Sequence, residues 1–227
     1  MVVGGAVLLV LAGGAVAADR VAVGVAERRA VTEVGADARV VGTPEVHING
    51  FPFLTQLLGR SLSDVSGSVD GLTLTDLDLT DVTVEAHGVA LAAPVTAAEV
   101  DVVGTVPVGS LEQLVRDQLG LEVTLTAVNG ELVVAGQVIG LPVAAHLVPR
   151  VEAGAIRVDV SAVELDGLTI DQEMLPGDLA ARLGALSIPV DGLPAGLALT
   201  GASVVDDGVR LTAAGTDVVV DAALGGR

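Results

Sequence analysis

Hydrophobic and polar positions divide the chain into a helical beginning and a long strand-like remainder. Val2 to Ala17 carries no charge and holds the apolar run Ala6-Val7-Leu8-Leu9-Val10-Leu11. It closes on Ala15-Val16-Ala17, a small-x-small pattern, followed by Ala18-Asp19-Arg20. That is the layout of a secretory h-region with a cleavage site. It is short and Gly-rich for a membrane span, which needs roughly 20 apolar residues. No Lys or Arg precedes the run, so a retained N-terminal anchor is the alternative. Residues 1–17 are therefore expected to be a signal peptide or N-terminal anchor, and residues 18–227 a single exported domain of the periplasm or cell envelope.

Val23, Ala26, Ala30 and Val34 recur at helical spacing and predict a helix over Asp19 to Val34, with Gly35 as its stop. Pro44 to Asn49 reads as extended. Val82, Val84 and Ala86 alternate with Thr83, Glu85 and His87, the period of a half-buried strand. Leu72 and Leu74 share one parity while Leu77 and Leu79 take the other, which asks for a turn or bulge near Thr75-Asp76. Val100, Val102 and Val106 predict a further strand. Ser110 to Leu119 predicts a helix, with Ser110 and Gln113 as a capping box, one stripe of Leu111, Leu114, Val115 and Leu119, and Gly120 as the stop. Leu121 to Leu165 reads as a meander, with a hairpin turn at Asn129-Gly130. Leu179, Leu183 and Leu186 suggest another short helix. Gly196 to Val205 and Val209 to Val220 form a last hairpin across Asp206-Asp207-Gly208. The fold class is α+β, a long, strongly curved antiparallel sheet with one or more helices packed on one side. The match between Asp70-Gly71-Leu72-Thr73-Leu74 and Asp166-Gly167-Leu168-Thr169-Ile170 is read as coincidence in a chain rich in Val, Leu, Asp and Gly.

Composition sharpens this picture at one place. The 227 residues hold no Tyr or Trp and two Phe, Phe51 and Phe53, on either side of Pro52. Cores normally spread aromatics widely. Here both sit between the strand-like PEVHING and the short helix-like FLTQLLG. Charge is lopsided, 29 acidic residues against 11 basic, all Arg, for a net −18. Nucleic-acid binding needs clustered Lys and Arg and is excluded as a function class. The same acidity argues against electrostatic docking on an anionic membrane, so contact with lipid is expected to be mainly apolar. With no Cys, disulfides, thiolate metal sites, a Cys nucleophile and a lipoprotein anchor are excluded.

The chain offers little catalytic chemistry. It has no G-x-S-x-G elbow, phosphate loop or dinucleotide fingerprint. His47, His87 and His146 are far apart and form no metal-binding motif; hydrogen-bonded structural roles are expected for His47 and His87. Asp64, Asp70, Asp76, Asp78 and Asp81 do not follow a calcium-loop spacing and are expected on the solvent face of strands. Glu112, Asp117 and Glu122 read as solvation of an exposed helix face. Aliphatic strand faces suit either a solid core or a groove for acyl chains, since both demand the same alternation.

The segment Val46-His47-Ile48-Asn49-Gly50-Phe51-Pro52-Phe53-Leu54-Thr55-Gln56 resembles the V-x-I-x-G-F-P-F-L-T-Q motif of the actinobacterial LmeA-like family of phospholipid-binding cell-envelope proteins. Asp81 to Val89, with His87-Gly88-Val89, is similar to that family's strand ending in H-G-V. Leu193-Pro194-Ala195-Gly196-Leu197, followed by Gly201-Ala202-Ser203-Val204, is similar to its L-P-x-G-L strand entry. The resemblance runs from about Asp19 to Val220. It implies an exported, non-enzymatic protein that binds phospholipid, notably phosphatidylinositol-type lipids, and supports mannan elongation on lipomannan-type lipoglycans. It also implies a fold like that of tubular lipid-binding proteins.

On this reading the only ligand is phospholipid, with no metal and no other cofactor. Partners are the membrane periphery and envelope glycosyltransferases. Phe51, Phe53, Leu54, Leu57 and Leu58 form a lid or lip over the lipid, or pack as a helix into the core. Arg60 is the head-group candidate, with Arg116 and Arg150 as other cations able to meet a phosphate. The competing readings are a solid-cored scaffolding protein without lipid, and a hydrolase or transferase whose acid/base pair nothing in the spacing nominates.

Overall fold

The computed structural model describes residues 2–37, 39–74, 77–119, 122–138, 141–165, 167–171, 187–189 and 193–219. Helix α1 (Val2–Val34) is one uninterrupted helix, so the expected Asp19 to Val34 helix is its second half and no break falls at the 17/18 boundary. Among the described residues no helix is long and apolar enough to cross a membrane. Ala22, Val23 and Ala26 share a face by their three- and four-residue spacing, and that face packs into a core. Strands β1 (Val40–Val41) and β2 (Glu45–Asn49) follow, then the six-residue helix α2 (Phe53–Leu58).

The strands are long and pair antiparallel throughout. β3 (Ser61–Leu74), β4 (Leu77–Ala90) and β5 (Thr96–Pro107) precede helix α3 (Val108–Leu119). Then come β6 (Thr124–Val128), β7 (Glu131–Val138), β8 (Leu141–Glu152), β9 (Ala155–Leu165), β10 (Leu168–Asp171) and β11 (Ser187–Pro189). The chain closes with β12 (Leu197–Val205) and β13 (Gly208–Val219). The α+β antiparallel architecture is as expected, with one refinement: there are two sheets. One runs β1-β3-β4-β5-β13-β12, with β2 added on β3; the other runs β10-β9-β8-β7-β6, with β11 added on β9. The terminal hairpin β12–β13 therefore joins the sheet of the N-terminal half.

Turn chemistry matches the hairpins. Asn129 and Gly130 have φ of 53° and 81°, the left-handed pair a two-residue turn requires. Ala153 and Gly154 repeat this at 51° and 77° between β8 and β9. β3 and β4 pair up to Leu74 opposite Leu77, so the chain reverses between them; Thr75 and Asp76 lie outside the described residues. Leu72 pairs with Leu79 and Leu74 with Leu77, so the four share a face and the reversal absorbs the parity change, as expected; a second break in alternation lies within β4. The register of β4 against β5 shifts between Thr80 and Thr83, and Asp81 has φ of 51°. Leu79 and Val82, three apart, consequently both sit over Gly104, as a bulge permits.

Helix α3 also departs from expectation. It begins at Val108, so Ser110 lies inside its first turn and cannot cap it. β5 runs directly into the helix, and the Val108 N–H donates to the Asp207 carbonyl at 3.0 Å, so the β12–β13 turn positions the first turn. Glu112 is not mere solvation: its Oε1 accepts the Leu125 N–H at 2.7 Å and ties α3 to β6. Glu122, expected to be solvation as well, pairs with Arg116 at 3.2 Å. The expected stop at Gly120 and the helix through Leu179, Leu183 and Leu186 lie outside the described residues.

Two aliphatic clusters hold the described elements. One joins Val23 of α1, Phe53 of α2, Leu62, Val89, Ala97, Val100 and Val218. The other spans both sheets, with Val106, Leu199, Val209, Leu211 and Ala213 from the first sheet and Leu125 and Leu132 from the second.

Candidate functional site

The aromatic block begins where β2 ends. β2 pairs with β3 from Glu45 opposite Ser68 to Asn49 opposite Asp64, and alternation turns Val46 and Ile48 inward. Gly50 then turns the chain at φ 93°; a Cβ there would strike the Ser63 hydroxyl at 2.5 Å and the Gln56 amide at 2.7 Å. Gln56 closes the loop: its Oε1 accepts the Ser63 N–H at 2.7 Å and the Ser63 hydroxyl at 2.9 Å. Asn49 donates to Asp64, whose other oxygen pairs with His87 Nδ1 at 2.9 Å. Asn49, Gly50 and Gln56 are thus occupied in holding the loop against β3.

A buried carboxylate docks α2 from the other side. Asp19 is 2 % exposed, and its Oδ1 accepts the Leu54 N–H at 2.8 Å; its Oδ2 is buried without a partner. Satisfying an otherwise orphaned amide at a helix start stabilises by about 1 kcal/mol. Glu27, two helical turns on, accepts the Ile48 N–H at 2.9 Å. Two carboxylates of α1 are therefore spent on backbone amides of this block.

The two aromatics part company. Phe53 is 4 % exposed and sits in the cluster with Val23, Leu62 and Val218. Phe51 is 55 % exposed and lies under the Arg20 guanidinium, 5.3 Å from its ring centre, within cation–π range. Leu54 and Leu57 are exposed, and Leu58 is 87 % exposed. Of the five apolar candidates, Phe53 anchors the helix and the other four form a solvent-facing patch. Arg60, at φ 52°, uses its backbone for the Leu57 carbonyl and the Leu91 N–H. Its exposed guanidinium has no partner among the described residues. Arg116 and Arg150 are engaged elsewhere: Arg116 with Glu122, Arg150 with Asp159 at 2.6 Å and Glu152 at 2.9 Å. Asp159 holds the Arg150 guanidinium above its ordinary range.

A second apolar surface lies on the inner face of the second sheet. Leu132 pairs with Leu147, Val134 with Ala145, Val143 with Leu165, and Leu165 with Leu168. Paired residues share a face, so these aliphatics form one continuous strip across β7, β8, β9 and β10. At the β6 side it is covered by the two-sheet cluster. At the β10 side it is open: Leu165 is 39 % and Leu168 73 % exposed. The strip carries no charged side chain.

The histidines stay apart, as their spacing implied. His47 is exposed and His87 pairs with Asp64. His146 contacts Glu131 at 3.0 Å and Glu164 at 3.4 Å on the opposite face of the second sheet from the aliphatic strip. Ser161, the extra residue where β9 bulges against β8, donates to Glu131 at 2.8 Å and not to the imidazole. Ser161 first, then His146, holds the Glu131 carboxyl below its ordinary range. Among the described residues no His, Asp or Glu cluster is arranged to hold a metal ion. Asp64, Asp70, Asp78 and Asp81 are strung along the β3–β4 hairpin; Asp70, Asp78 and Asp81 are exposed, Asp64 partly so; Asp76 lies outside the described residues.

Set beside known proteins, the chain matches one family model, described as LmeA-like phospholipid-binding, over residues 17–214. No curated protein and no solved structure gives a significant match.

Proposed function

The chain belongs to the LmeA-like phospholipid-binding family, and from that premise we propose that it is an exported, non-enzymatic phospholipid carrier of the cell envelope. Acyl chains lie on the aliphatic strip of the second sheet, entering at the open Leu165–Leu168 end. That strip is the observation that carries the reading, because an uncharged surface reaching solvent at one end suits an amphipathic ligand better than a closed core. Each buried methylene contributes about 0.8 kcal/mol, so long acyl chains bind tightly on apolar contact alone. Phospholipid is then the one ligand, and no metal or other cofactor takes part.

The cellular role extends the same reading. The protein works at the membrane periphery and hands phospholipid, of the phosphatidylinositol type, to envelope glycosyltransferases that elongate lipoglycan mannan. The uncharged segment before Ala18 supports export as a signal peptide or anchor. The placement of His146 away from the aliphatic strip supports binding over catalysis.

Native mass spectrometry of the protein, with lipid analysis of its organic extract, tests this directly. We expect one phospholipid per chain. A protein that stays lipid-free after incubation with phosphatidylinositol vesicles would sink the proposal and favour a solid-cored scaffold.

A further inference from the structure

We infer that the segment from Phe51 to Arg60, together with Arg20, docks the protein on an anionic phospholipid bilayer. The inference takes only its choice of partner from the phospholipid-binding reading. Its basis is where the unpaired cations lie. Arg39, Arg116, Arg150 and Arg157 pair with carboxylates. Among the described residues, Arg20, Arg28, Arg29, Arg60 and Arg210 do not. Four of these five belong to α1 or directly follow α2.

Residues 18–60 hold five Arg against five carboxylates, so the net −18 lies entirely outside them. Two of those five carboxylates, Asp19 and Glu27, are turned to backbone amides, and Asp37 is bound to Arg39 at 2.6 Å. Among the described residues, the exposed guanidiniums of Arg20, Arg28, Arg29 and Arg60 are left to act outward. At physiological salt fields fade over about 8 Å, so a bilayer meeting this face senses its own cations and little of the acidic body.

The apolar residues between the cations suit the interfacial layer. Phe51, Leu54, Leu57 and Leu58 are exposed within eight residues of one another, and Val21 and Val25 are exposed on α1. Arg20 on the Phe51 ring places a cation beside an aromatic, an arrangement that seats at head-group depth, ring toward the chains and guanidinium toward phosphate. α2, pinned by Phe53 and Asp19, presents the leucines from a fixed base.

Co-sedimentation of the full chain with vesicles tests the proposal, using phosphatidylcholine alone and phosphatidylcholine with about one-third phosphatidylglycerol. Each Arg near an anionic surface contributes about fivefold, so wild type should prefer the anionic vesicles by roughly 25-fold. Arg20→Gln/Arg60→Gln should lose that preference, and Arg20→Lys/Arg60→Lys should keep most of it. Leu57→Ser/Leu58→Ser should weaken binding to both vesicle types by about tenfold or more. Circular dichroism confirms that each variant folds. Equal wild-type binding to the two compositions, or an undiminished preference in the Gln variant, overturns the docking face. The phospholipid-binding reading is scored separately, by native mass of the wild type. A lipid-free wild type with a strong anionic preference sinks that reading and leaves docking in place.

Discussion

Phe51→Ala and Phe53→Ala, two residues apart on either side of Pro52, should have opposite consequences. Phe53 is 4 % exposed, packs with Val23, Leu62 and Val218, and is the one buried residue of α2. A phenyl group that buries ~150 Å² contributes about 4 kcal/mol at ~25 cal/mol/Å², within the ~3–5 kcal/mol measured for Phe→Ala in cores. The surrounding Val, Leu and Ala side chains are too short to close the gap. In a domain of this size about 4 kcal/mol lowers the melting temperature by roughly 10 °C. Phe51 is 55 % exposed and its main partner is Arg20, an exposed cation–π contact of about 1 kcal/mol at most. Phe51→Ala should shift melting by about 3 °C or less and weaken anionic-vesicle binding instead. Thermal unfolding followed by circular dichroism, beside co-sedimentation of the same preparations, separates the two. Equal melting shifts, or a stable Phe53→Ala that has lost only vesicle binding, would refute the division of the pair into anchor and contact.

Four more outcomes follow from the same geometry. Asp19→Ala removes the acceptor of the Leu54 N–H and should cost about 1–3 kcal/mol in urea unfolding, the orphaned Oδ2 holding the loss to the lower part of that range. Glu131 has a folded pKa held below its ordinary value by Ser161 and His146, so its stabilisation is present above the unfolded pKa of about 4.3 and lost as pH falls through the lower folded value. Glu131→Gln should therefore lower stability across the neutral range and flatten its decline below about pH 4, so that variant and wild type converge in acid, read from unfolding midpoints across pH. Gly215→Ala would drive a Cβ into the Gly196 carbonyl at the end of the β12–β13 hairpin and should destabilise by about 1–3 kcal/mol, checked by thermal melting. Docking on anionic vesicles should be stronger at ~0.1 M salt than at ~0.01 M, because a screening length near 30 Å exposes the bilayer to the whole acidic body; a monotonic fall with salt would count against the local-cation argument.

Local signals in the sequence carried most of the fold. Asn129-Gly130 marks its hairpin because both residues tolerate positive φ, whereas Ala153 in the same conformation gives no such signal. The parity change from Leu72 and Leu74 to Leu77 and Leu79 marks the β3–β4 reversal, whereas the bulge at Asp81 depends on how β4 registers against β5 and leaves no comparable local signal. The division into two sheets depends on β13 pairing with β5 across the whole second sheet, a long-range choice that no local pattern encodes. At the candidate site, the motif was legible and its internal division was not. Phe51 and Phe53 have the same spacing, chemistry and neighbours in sequence; burial of one follows from α1 and β3 meeting it from elsewhere in the chain. Asp19 reads as one more solvated acid until α2 arrives at its carboxylate. Glu112 likewise gains its role only when β6 folds beside α3.

Net charge describes how a chain behaves far from its partner, and pairing describes how it behaves in contact. A chain at −18 is repelled by an anionic surface at long range on net charge alone. Within a screening length the relevant quantity is the set of charges not already neutralised by neighbours. In the second sheet Arg150 and Arg157 are consumed by Glu152 and Asp159, leaving that region acidic. Around α1 and α2 the order is reversed: Asp19 and Glu27 are consumed by backbone amides, and among the described residues Arg20, Arg28, Arg29 and Arg60 have no carboxylate partner. The acidic body then aids docking through orientation. An anionic bilayer repels every face except the one bearing Arg20 and Arg60, so the molecule arrives with Phe51, Leu57 and Leu58 foremost. Neutralising carboxylates on the far sheet, as in Glu152→Gln/Asp159→Asn, should therefore broaden the orientations that reach the surface without tightening the docked state. Association kinetics on supported anionic bilayers would show it as a lower fraction of productive encounters at an unchanged off-rate. An off-rate that slows instead would mean that total charge, and not its placement, governs how this protein meets a membrane.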